Sequence, residues 1–300
     1  MITFCGYANS DLTVSVPALP AAGTRVQAAA IARGDGGMAA NAAVAAARMG
    51  ADARFAGVVG DDPLSESFLA SLVADGVDIA WTARTGQLTT SVILVTPDGE
   101  RSIISQDDAI TEAHLTEVVT RTAGCENAWL YLDGYRFPWA APLLRGVRTI
   151  VDLDGCTRAE GARAALAVAD HVIAGRALAH ELLGDETELI RLAVQTGTHL
   201  LITDGARGWR MHTPDGADYE GAALPVSAAD VTGAGDCFVG VYAAELDRGV
   251  DPAEAARFAS AAAGISCTKP GARAGLPRRA TVSDYLTAPA KPTPATRRTR

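Results

Sequence analysis

Short apolar runs alternate with helix-patterned segments along most of the chain. Six of these runs predict buried strands, at 2–7, 52–59, 128–132, 149–152, 171–174 and 200–203. The intervening segments predict helices, at 39–49, 62–74, 158–168 and 187–195. Glycine follows the first two helices as a stop signal, at Gly50 and Gly76. Strands that alternate with helices predict a mostly parallel sheet covered by helices on both faces.

Two segments, about 12–33 and 88–105, break this alternation. They are richer in Thr, Val, Ile and Ser, and the second contains a turn sequence at 97–100 between two extended runs. We therefore predict β segments outside the parallel sheet. A small β flap of this kind commonly covers a ligand, although an ordinary edge hairpin is the alternative. The Pro-, Thr- and Ala-rich end, 287–300, predicts a disordered basic tail and leaves 1–286 as one α/β domain.

Composition narrows the class of protein. Of 300 residues, 48% are apolar and 20% charged, which predicts a folded core rather than disorder. The net charge of −9 and an aromatic content of 5% argue against a nucleic-acid partner. No apolar run has membrane-spanning length and no signal peptide is recognisable, so we expect a cytoplasmic protein with no membrane partner. The five scattered cysteines predict buried thiols rather than disulfides or a zinc site.

The sharpest motif is Asp-Val-Thr-Gly-Ala-Gly-Asp at 230–236, which leads into a segment with helical spacing. Gly233, Ala234 and Gly235 are small enough for backbone N–H groups to converge. They predict an anion site, because free amides and the helix dipole favour negative charge at a helix start. Asp236 falls in the first turn, where a carboxylate is stabilised in its ionised form. It is a candidate base for a hydroxyl that attacks a phosphoryl group; a capping aspartate is the alternative.

A second glycine-rich segment, 34–41, enters an alanine-rich helix. Gly36 and Gly37 permit close approach of a ligand to the backbone, and Asn41 offers a donor and an acceptor to sugar hydroxyls. The spacing of glycines also imitates a dinucleotide-binding fingerprint, which leaves a dehydrogenase open as an alternative. That fingerprint normally follows the first buried strand directly, whereas about thirty residues separate the two here.

Other catalytic signatures are absent from the sequence. It contains no P-loop and no protein-kinase motif, and its five histidines form no zinc-hydrolase motif. There is no serine elbow either. A phosphoryl-transfer enzyme with this sequence is therefore neither a P-loop protein nor a protein kinase.

Taken together, these residues resemble the ribokinase family, also called the PfkB carbohydrate kinases, from Gly6 to about Leu286. The resemblance implies a three-layer α/β/α fold with a mostly parallel central sheet and a small β lid. It implies an ATP-dependent kinase that phosphorylates a primary hydroxyl of a ketose or related sugar. In that family the aspartate matching Asp236 is the catalytic base, and the amides matching 233–235 form an anion hole. The implied sugar contacts are Asn9, Asp11, Gly36, Gly37 and Asn41.

The resemblance also implies nucleotide and metal positions. The segment 201–208 looks like the strand and loop that border ATP, and 261–265 resembles the segment that flanks adenine. The implied nucleotide contacts are Thr203, Gly205, Gly208 and Ala262. A monovalent cation, K⁺, is held in ribokinase-like members at positions matching Asp230, Thr232 and Gly271, although Gly275 departs from a side-chain ligand that some use. Mg²⁺ is expected with ATP, although Gly175 and Leu178 replace the family's N-x-x-E motif.

The segments 169–171, 257–260 and 267–277 look especially like the sulfofructose kinase branch. Arg136 falls where that branch places a sulfonate-binding arginine, and a guanidinium at a strand end suits a carboxylate, phosphate or sulfonate. An ordinary ion pair is the alternative. Ser105 and Met38 depart from the branch. Sulfofructose is therefore the specific substrate hypothesis within a broader class of ketoses and related sugars.

Two further alternatives remain within the same resemblance. A nucleoside kinase of this fold would need an aromatic platform for the substrate base, and the lid segments offer no clear one. A non-catalytic sugar-binding relative is suggested by the missing N-x-x-E motif. Lid strands of this family often pair between subunits, so we expect a possible homodimer through the lid.

Overall fold

The computed structural model describes residues 1–98, 101–106, 108–184, 186–287 and 296–298. The strands are β1 (Ile2–Cys5), β2 (Asn9–Ser15), β3 (Ala30–Gly36), β4 (Ala53–Phe55), β5 (Thr89–Val95), β6 (Arg101–Ile104), β7 (Trp129–Asp133), β8 (Arg148–Asp152), β9 (His171–Gly175), β10 (His199–Thr203), β11 (Trp209–His212), β12 (Asp218–Gly221) and β13 (Thr296–Arg298). The helices are α1 (Met38–Arg48), α2 (Pro63–Ala74), α3 (Glu112–Ala123), α4 (Ala159–Leu166), α5 (Arg176–Leu183), α6 (Glu186–Thr196), α7 (Ala234–Asp247), α8 (Pro252–Ser266) and α9 (Arg279–Thr287). None of the helices in these residues combines the length and the apolar character needed to cross a membrane.

The central sheet has the strand order β13-β12-β11-β10-β9-β8-β7-β1-β4 within the described residues. Six neighbouring strands of this sheet run parallel: β4, β1, β7, β8, β9 and β10. Strands β11, β12 and β13 continue the sheet at one edge and pair antiparallel. The predicted fold class is confirmed, and the six predicted strands are the six parallel strands. The antiparallel edge was not predicted.

Helices cover both faces of this sheet, because successive strand side chains point to opposite faces. On β1, Phe4 packs into a core formed with α1, α2, α7 and α8. The next residue, Cys5, packs into the core on the other face with α3, α4, α5 and α6. Tyr131 and Leu132 on β7 divide between the two cores in the same way. The result is a three-layer α/β/α domain with one core on each side of the sheet.

A second, smaller sheet stands apart from the central one, with the order β3-β2-β5-β6. Strand β2 pairs antiparallel with β3 and parallel with β5, and β5 forms an antiparallel hairpin with β6. The segments predicted at about 12–33 and 88–105 supply these strands, but β2 begins earlier, at Asn9, and β3 continues to Gly36. Several residues of the predicted sugar site therefore lie on this small sheet.

Two parts of the segment predicted as a disordered tail fall within the described residues. Helix α9 extends to Thr287, and Thr296–Arg298 form strand β13, which pairs antiparallel with β12. Pairing with β13 supplies hydrogen-bond partners to the edge strand β12, because an exposed strand edge offers unpaired N–H and C=O groups. The rest of the predicted tail, 288–295 and 299–300, lies outside the described residues.

The helix starts differ in a way that matters for the site. Side chains cap the N-termini of α2, α3 and α8, where Asp62, Thr111 and Asp251 accept bonds from backbone amides. By contrast, α1, α4, α5 and α7 begin without a side-chain cap, and α1 and α7 begin after the positive-φ glycines Gly37 and Gly233. The first-turn amides of these two helices have no partner within the helix.

Helices α1 and α7 pack closely because small residues face each other. A Cβ at Gly240 of α7 would lie only 2.2 Å from the carbonyl oxygen of Ala42 on α1. Both residues are buried in the same core. This contact sets the separation between the N-terminal halves of the two uncapped helices.

The close contact predicts an unusual effect for a glycine in a helix. Replacing Gly240 by Ala should destabilise the protein by about 1–3 kcal/mol, because the added methyl group overpacks the contact with Ala42. An exposed helical glycine gains about 1 kcal/mol from the same change. Gly235→Ala on the same helix is the matched control, because its Cβ meets nothing within 4 Å. Urea unfolding measures both variants; equal stabilisation of the two would contradict the predicted contact.

Candidate active site

The uncapped starts of α1 and α7 lie at the end of the sheet where the parallel strands finish. Gly37 has a φ of 95°, and a Cβ there would lie 2.3 Å from the Ala8 Cα atom, so only glycine fits. Gly233 has a φ of 74° and packs against Ala272. These two glycine turns place two sets of helix N-terminal amides at the strand ends, the usual ligand position in an open α/β sheet.

Asn41 and Asp236 connect the two helices across this site. The Asn41 side-chain amide donates to Asp236 Oδ2 at 2.8 Å. The other atom of the Asn41 amide group, Oδ1, accepts from Arg273 Nε at 2.8 Å. The sequence motifs predicted Asn41 and Asp236 in one site, and the structure places them in direct contact.

Arg273 is a site residue that sequence reasoning missed. Besides Asn41, its guanidinium donates to the Gly36 carbonyl oxygen at 3.2 Å and forms an ion pair with Asp35 at 3.4 Å. It also lies 4.9 Å from the centre of the Phe68 ring. Burial lowers the pKa of Arg273 to about 10. The only signal in the sequence was an arginine between glycines in the 271–275 segment, which had been considered for a cation and not for a side-chain contact.

The pKa of Asp236 is raised to about 7. Burial is the largest cause, and the carboxylates of Asp154 and Asp11 raise it further, whereas the hydrogen bond from Asn41 and the charge of Arg273 lower it. The side chain remains partly exposed to solvent. The helix N-terminus favours the ionised carboxylate, as the sequence suggests, whereas burial opposes ionisation and raises the pKa. A pKa near neutrality suits a general base.

Asn9 and Asp11 form the side of the site contributed by the small sheet. Asn9 Nδ2 donates to Asp11 Oδ1 at 2.5 Å and to Ser91 Oγ at 2.9 Å. Burial raises the pKa of Asp11. A Cβ at Gly36 would lie 2.4 Å from Asp11 Oδ2, so this glycine allows β3 to approach the carboxylate. The predicted polyol-binding residues are thus neighbours in the structure.

Two further acidic residues, Asp152 at the end of β8 and Asp154 just after it, were also missed. Asp152 and Asp154 are both affected by burial, which raises the pKa of each, and Asp236 adds to the shift at Asp152. The Asp154 backbone amide donates to Asp152 Oδ1 at 3.1 Å. An Asp-x-Asp sequence at the end of a predicted parallel strand was the signal that could have identified them.

Arg136 is placed differently from the prediction. It is 2% exposed and forms a two-pronged ion pair with Asp108, at 2.9 and 3.1 Å. Its Nε atom donates to Asp133 Oδ1 at 3.0 Å. Asp133 in turn accepts from the Tyr7 backbone amide at 2.6 Å. The guanidinium is surrounded by the protein's own carboxylates, so the structure does not present it to a sulfonate or another substrate anion.

Three of the four predicted nucleotide residues lie at or just after the end of β10, and the fourth, Ala262, is buried in the core. Thr203 ends β10, and Gly205 and Gly208 have positive φ values of 52° and 98° in the loop that follows. Gly208 also approaches the Gly221 carbonyl oxygen of β12 too closely for any side chain. Ala262 is wholly buried in the core on α8, so the prediction that it contacts a nucleotide is not supported: helix packing covers its methyl group completely.

The three residues predicted to hold a monovalent cation contact one another. Asp230 Oδ1 accepts from the Thr232 amide at 2.9 Å and from its hydroxyl at 2.7 Å. Asp230 Oδ2 accepts from the Gly271 amide at 2.8 Å. The carboxylate thus organises the turn before α7 through hydrogen bonds.

The N-x-x-E positions are also occupied by residues that cannot bind a metal through their side chains. Gly175 precedes α5, and Leu178 packs against the core. Between them, Arg176 forms ion pairs with Asp204 and Glu186. Within the part of the chain that the structure describes, no group of three or more His, Cys, Asp or Glu side chains could hold a metal ion.

Comparison with known proteins identifies the family of this chain. The model of the pfkB family carbohydrate kinases matches residues 1–279. The ribokinase of Bacillus subtilis is 28% identical over 303 residues, covering 95% of this chain and 99% of its own. The ATP-dependent ribose-1-phosphate kinase of Halopiger xanaduensis is 29% identical over 275 residues, covering 89% and 92%. The structure of the ribokinase of Arabidopsis thaliana superposes with a TM-score of 0.81 at 22% identity, covering 95% and 98%.

The fold is therefore that of a ribokinase-like α/β enzyme with a small accessory sheet. The chain belongs to the pfkB family of carbohydrate kinases. The expected resemblance is confirmed at the level of the family, and carbohydrate kinase is the enzyme class. The finer assignment to the sulfofructose kinase branch is not supported by these relatives.

The dinucleotide-binding alternative lacks its structural context. The glycines at 34–37 lie at the end of β3, a largely exposed strand of the small sheet, rather than after the first buried strand of the parallel sheet. Helix α1 nevertheless begins after them, so the segment forms a helix-start turn of another kind. A dehydrogenase is accordingly dropped.

The surroundings of Arg136 predict a loss of stability on substitution. Arg136→Ala should destabilise the protein by about 3–5 kcal/mol, because it leaves the buried carboxylates of Asp108 and Asp133 without their cation. Arg207→Ala is the control: its ion pair with Asp204 is exposed on the arginine side, so little change is expected. Chemical denaturation of both variants checks this. An Arg136→Ala protein of unchanged stability would return Arg136 to a role in binding ligands.

Proposed function

We propose that the chain is an ATP-dependent sugar kinase in which Asp236 accepts the proton of the attacking hydroxyl. The observation that carries this proposal is the position of Asp236. It lies in the first turn of the uncapped helix α7, and Asn41 donates a hydrogen bond to it. A carboxylate in the first turn of a helix lies next to the positive end of the helix dipole, which favours phosphoryl oxygens, so a proton acceptor and an anion site are neighbours.

The proposed step is a direct transfer. The acceptor oxygen attacks the γ-phosphorus of ATP, the bond from that phosphorus to the bridging oxygen of ADP breaks, and the hydroxyl proton passes to Asp236. The amides of Gly233, Ala234 and Gly235 receive the charge on the transferred group. Because the transition state of such a transfer is loose, a carboxylate of pKa near 7 is basic enough.

The sugar is proposed to bind between the two sheets. Asn9 and Asp11 on β2, together with Asn41 on α1, offer the polar atoms that hydroxyl groups require. Gly36 and Gly37 provide the close backbone approach. This arrangement supports recognition of a neutral polyol, since the described cations near it, Arg136 and Arg273, are already paired with carboxylates of the protein.

The phosphoryl donor is proposed from the relatives. The Halopiger xanaduensis relative is named for its dependence on ATP, and the Arabidopsis thaliana ribokinase was solved with ribose and ATP. Thr203, Gly205 and Gly208 are the proposed nucleotide residues. Mg²⁺ and K⁺ stay predictions from the resemblance, and no step is assigned to either ion.

The identity of the sugar remains a narrower prediction. The hypothesis of sulfofructose or another anionic sugar relied on Arg136 as the anion-binding residue. That support is removed, because Arg136 is buried between Asp108 and Asp133. Ribose and fructose are the neutral candidates of the family. A nucleoside kinase and a non-catalytic sugar-binding relative remain alternatives without a structural observation in their favour.

Pairing of two chains through the small sheet also stays a prediction. The side chains of Ile31, Ile103 and Ile104 are exposed on that sheet.

Removing the proposed base should separate binding from turnover. Asp236→Asn should lower kcat by about 10²–10⁴ with ribose or fructose as acceptor, because the hydroxyl proton loses its acceptor. ATP binding, measured by calorimetry, should be largely retained.

Asp247→Asn is the matched control for this variant. Asp247 is the last residue of the same helix and pairs with the N-terminal amino group, far along the chain from the site motif. Its variant should keep normal turnover. Near-normal kcat in Asp236→Asn would exclude Asp236 as the base.

The raised pKa of Asp236 predicts a pH dependence. Only the ionised carboxylate accepts a proton, so kcat/KM should fall as the pH drops through about 7, by roughly tenfold per pH unit below it. An ordinary aspartate would give the same fall only near pH 4. Initial rates between pH 5 and pH 9 at subsaturating sugar measure the midpoint. A flat profile down to pH 5 would contradict either the burial effect or the assignment of the base.

A further inference from the structure

Arg273 lies where the small sheet, α1 and α2 meet. Its guanidinium donates to Asn41 Oδ1 on α1, to the Gly36 carbonyl oxygen at the end of β3, and to Ser71 Oγ on α2 at 3.2 Å. The side chain is largely buried. A long, flexible side chain that is fixed by partners on three elements restricts how these elements can move relative to one another.

The contact with Asn41 also determines which way its amide group faces. Asn41 has one acceptor atom and one donor group at the end of its side chain. Arg273 carries only donors, so it selects the orientation in which Oδ1 faces the guanidinium. The amide nitrogen is then left to face Asp236, where it donates to Oδ2. A reversed amide would place two acceptor oxygens against each other.

The charges around Asp236 make this guanidinium important. Carboxylates face Asp236 from two elements, Asp11 on β2 and Asp154 after β8. Asp152 at the end of β8 lies near enough for its charge and that of Asp236 to influence each other. The Tyr131 hydroxyl on β7 is also close enough to be affected by its charge. Arg273 is the cation that opposes these groups at Asp236.

We propose that Arg273 is a positioning residue for phosphoryl transfer: it orients the Asn41 amide toward the carboxylate of Asp236 and links that carboxylate to the small sheet through Gly36 and Asp35. This role rests on the proposed function of Asp236 as the base. Arg273 itself touches neither the acceptor hydroxyl nor the transferred group. It acts through Asn41 and through its charge.

Three substitutions separate orientation from charge. Arg273→Gln and Arg273→Ala remove the charge, so the acidic limb of the kcat/KM profile should move up by about one pH unit and activity at pH 6.5 should fall about tenfold more than activity at pH 9. Arg273→Lys keeps a charge but lacks the planar fork. The acidic limb of the kcat/KM profile of Arg273→Lys should stay within about 0.3 pH unit of that of the unaltered enzyme, while kcat falls at every pH. A purely structural residue would lower kcat without moving the limb in any variant.

Arg48→Gln is the matched control. Arg48 donates to the carbonyl oxygens of Arg273 and Leu276, so it anchors the same loop without reaching Asn41 or Asp236. Its loss should lower the unfolding midpoint and leave the limb in place. If Arg48→Gln moves the limb as far as Arg273→Gln does, displacement of the loop explains the effect and the proposal is overturned.

A measurement without substrate distinguishes failure of this proposal from failure of the proposed function. The side-chain carboxyl ¹³C shift of Asp236, assigned by comparison with Asp236→Asn, reports its pKa directly. That pKa should rise by about one unit in Arg273→Gln. No shift in a folded variant overturns the role of Arg273, even if Asp236→Asn is inactive. A shift combined with normal turnover of Asp236→Asn would overturn the assignment of the base instead.

Discussion

The close packing of α1 against α7 is the constraint on which the site depends. The two helices come from opposite ends of the chain, and the contact between Gly240 and the Ala42 carbonyl oxygen sets their separation. Because each helix begins at a glycine turn without a side-chain cap, this single contact places two helix N-termini at one end of the sheet. It also brings Asn41 within hydrogen-bond distance of Asp236. The many alanines of α1 are explained by this close packing, because larger side chains would push α7 away.

Opposing effects act on the ionisation of Asp236, and burial is the largest of them. A helix N-terminus and Arg273 favour an ionised Asp236, whereas burial and the nearby carboxylates oppose ionisation. Burial is the larger effect and leaves the group near neutrality. An isolated helix start would have given a strongly acidic and therefore weakly basic aspartate. The protein obtains a better proton acceptor by placing that start inside the domain.

The sequence allowed prediction of the features that depend on local pattern. The six parallel strands, the glycine turns before α1 and α7, and the pair Asn41 and Asp236 all follow from periodicity and motif. Features that depend on long-range contact were missed or misplaced. Arg273 is 232 residues from Asn41 along the chain, and nothing in its neighbours predicts that contact. Arg136 was correctly placed at a strand end, but whether a guanidinium meets a ligand or a buried carboxylate depends on Asp108, which arrives from another loop.

The buried cluster of Arg136, Asp108 and Asp133 has a mechanical consequence. Asp108 lies on the segment that leaves the small sheet after β6, while Asp133 ends β7 of the central sheet. The cluster therefore fastens one corner of the small sheet to the rigid body of the domain. A movement of that sheet over the site would be a rotation about this corner rather than a free translation. Asp11 and Gly36 lie on the paired strands β2 and β3, so such a rotation would carry them together.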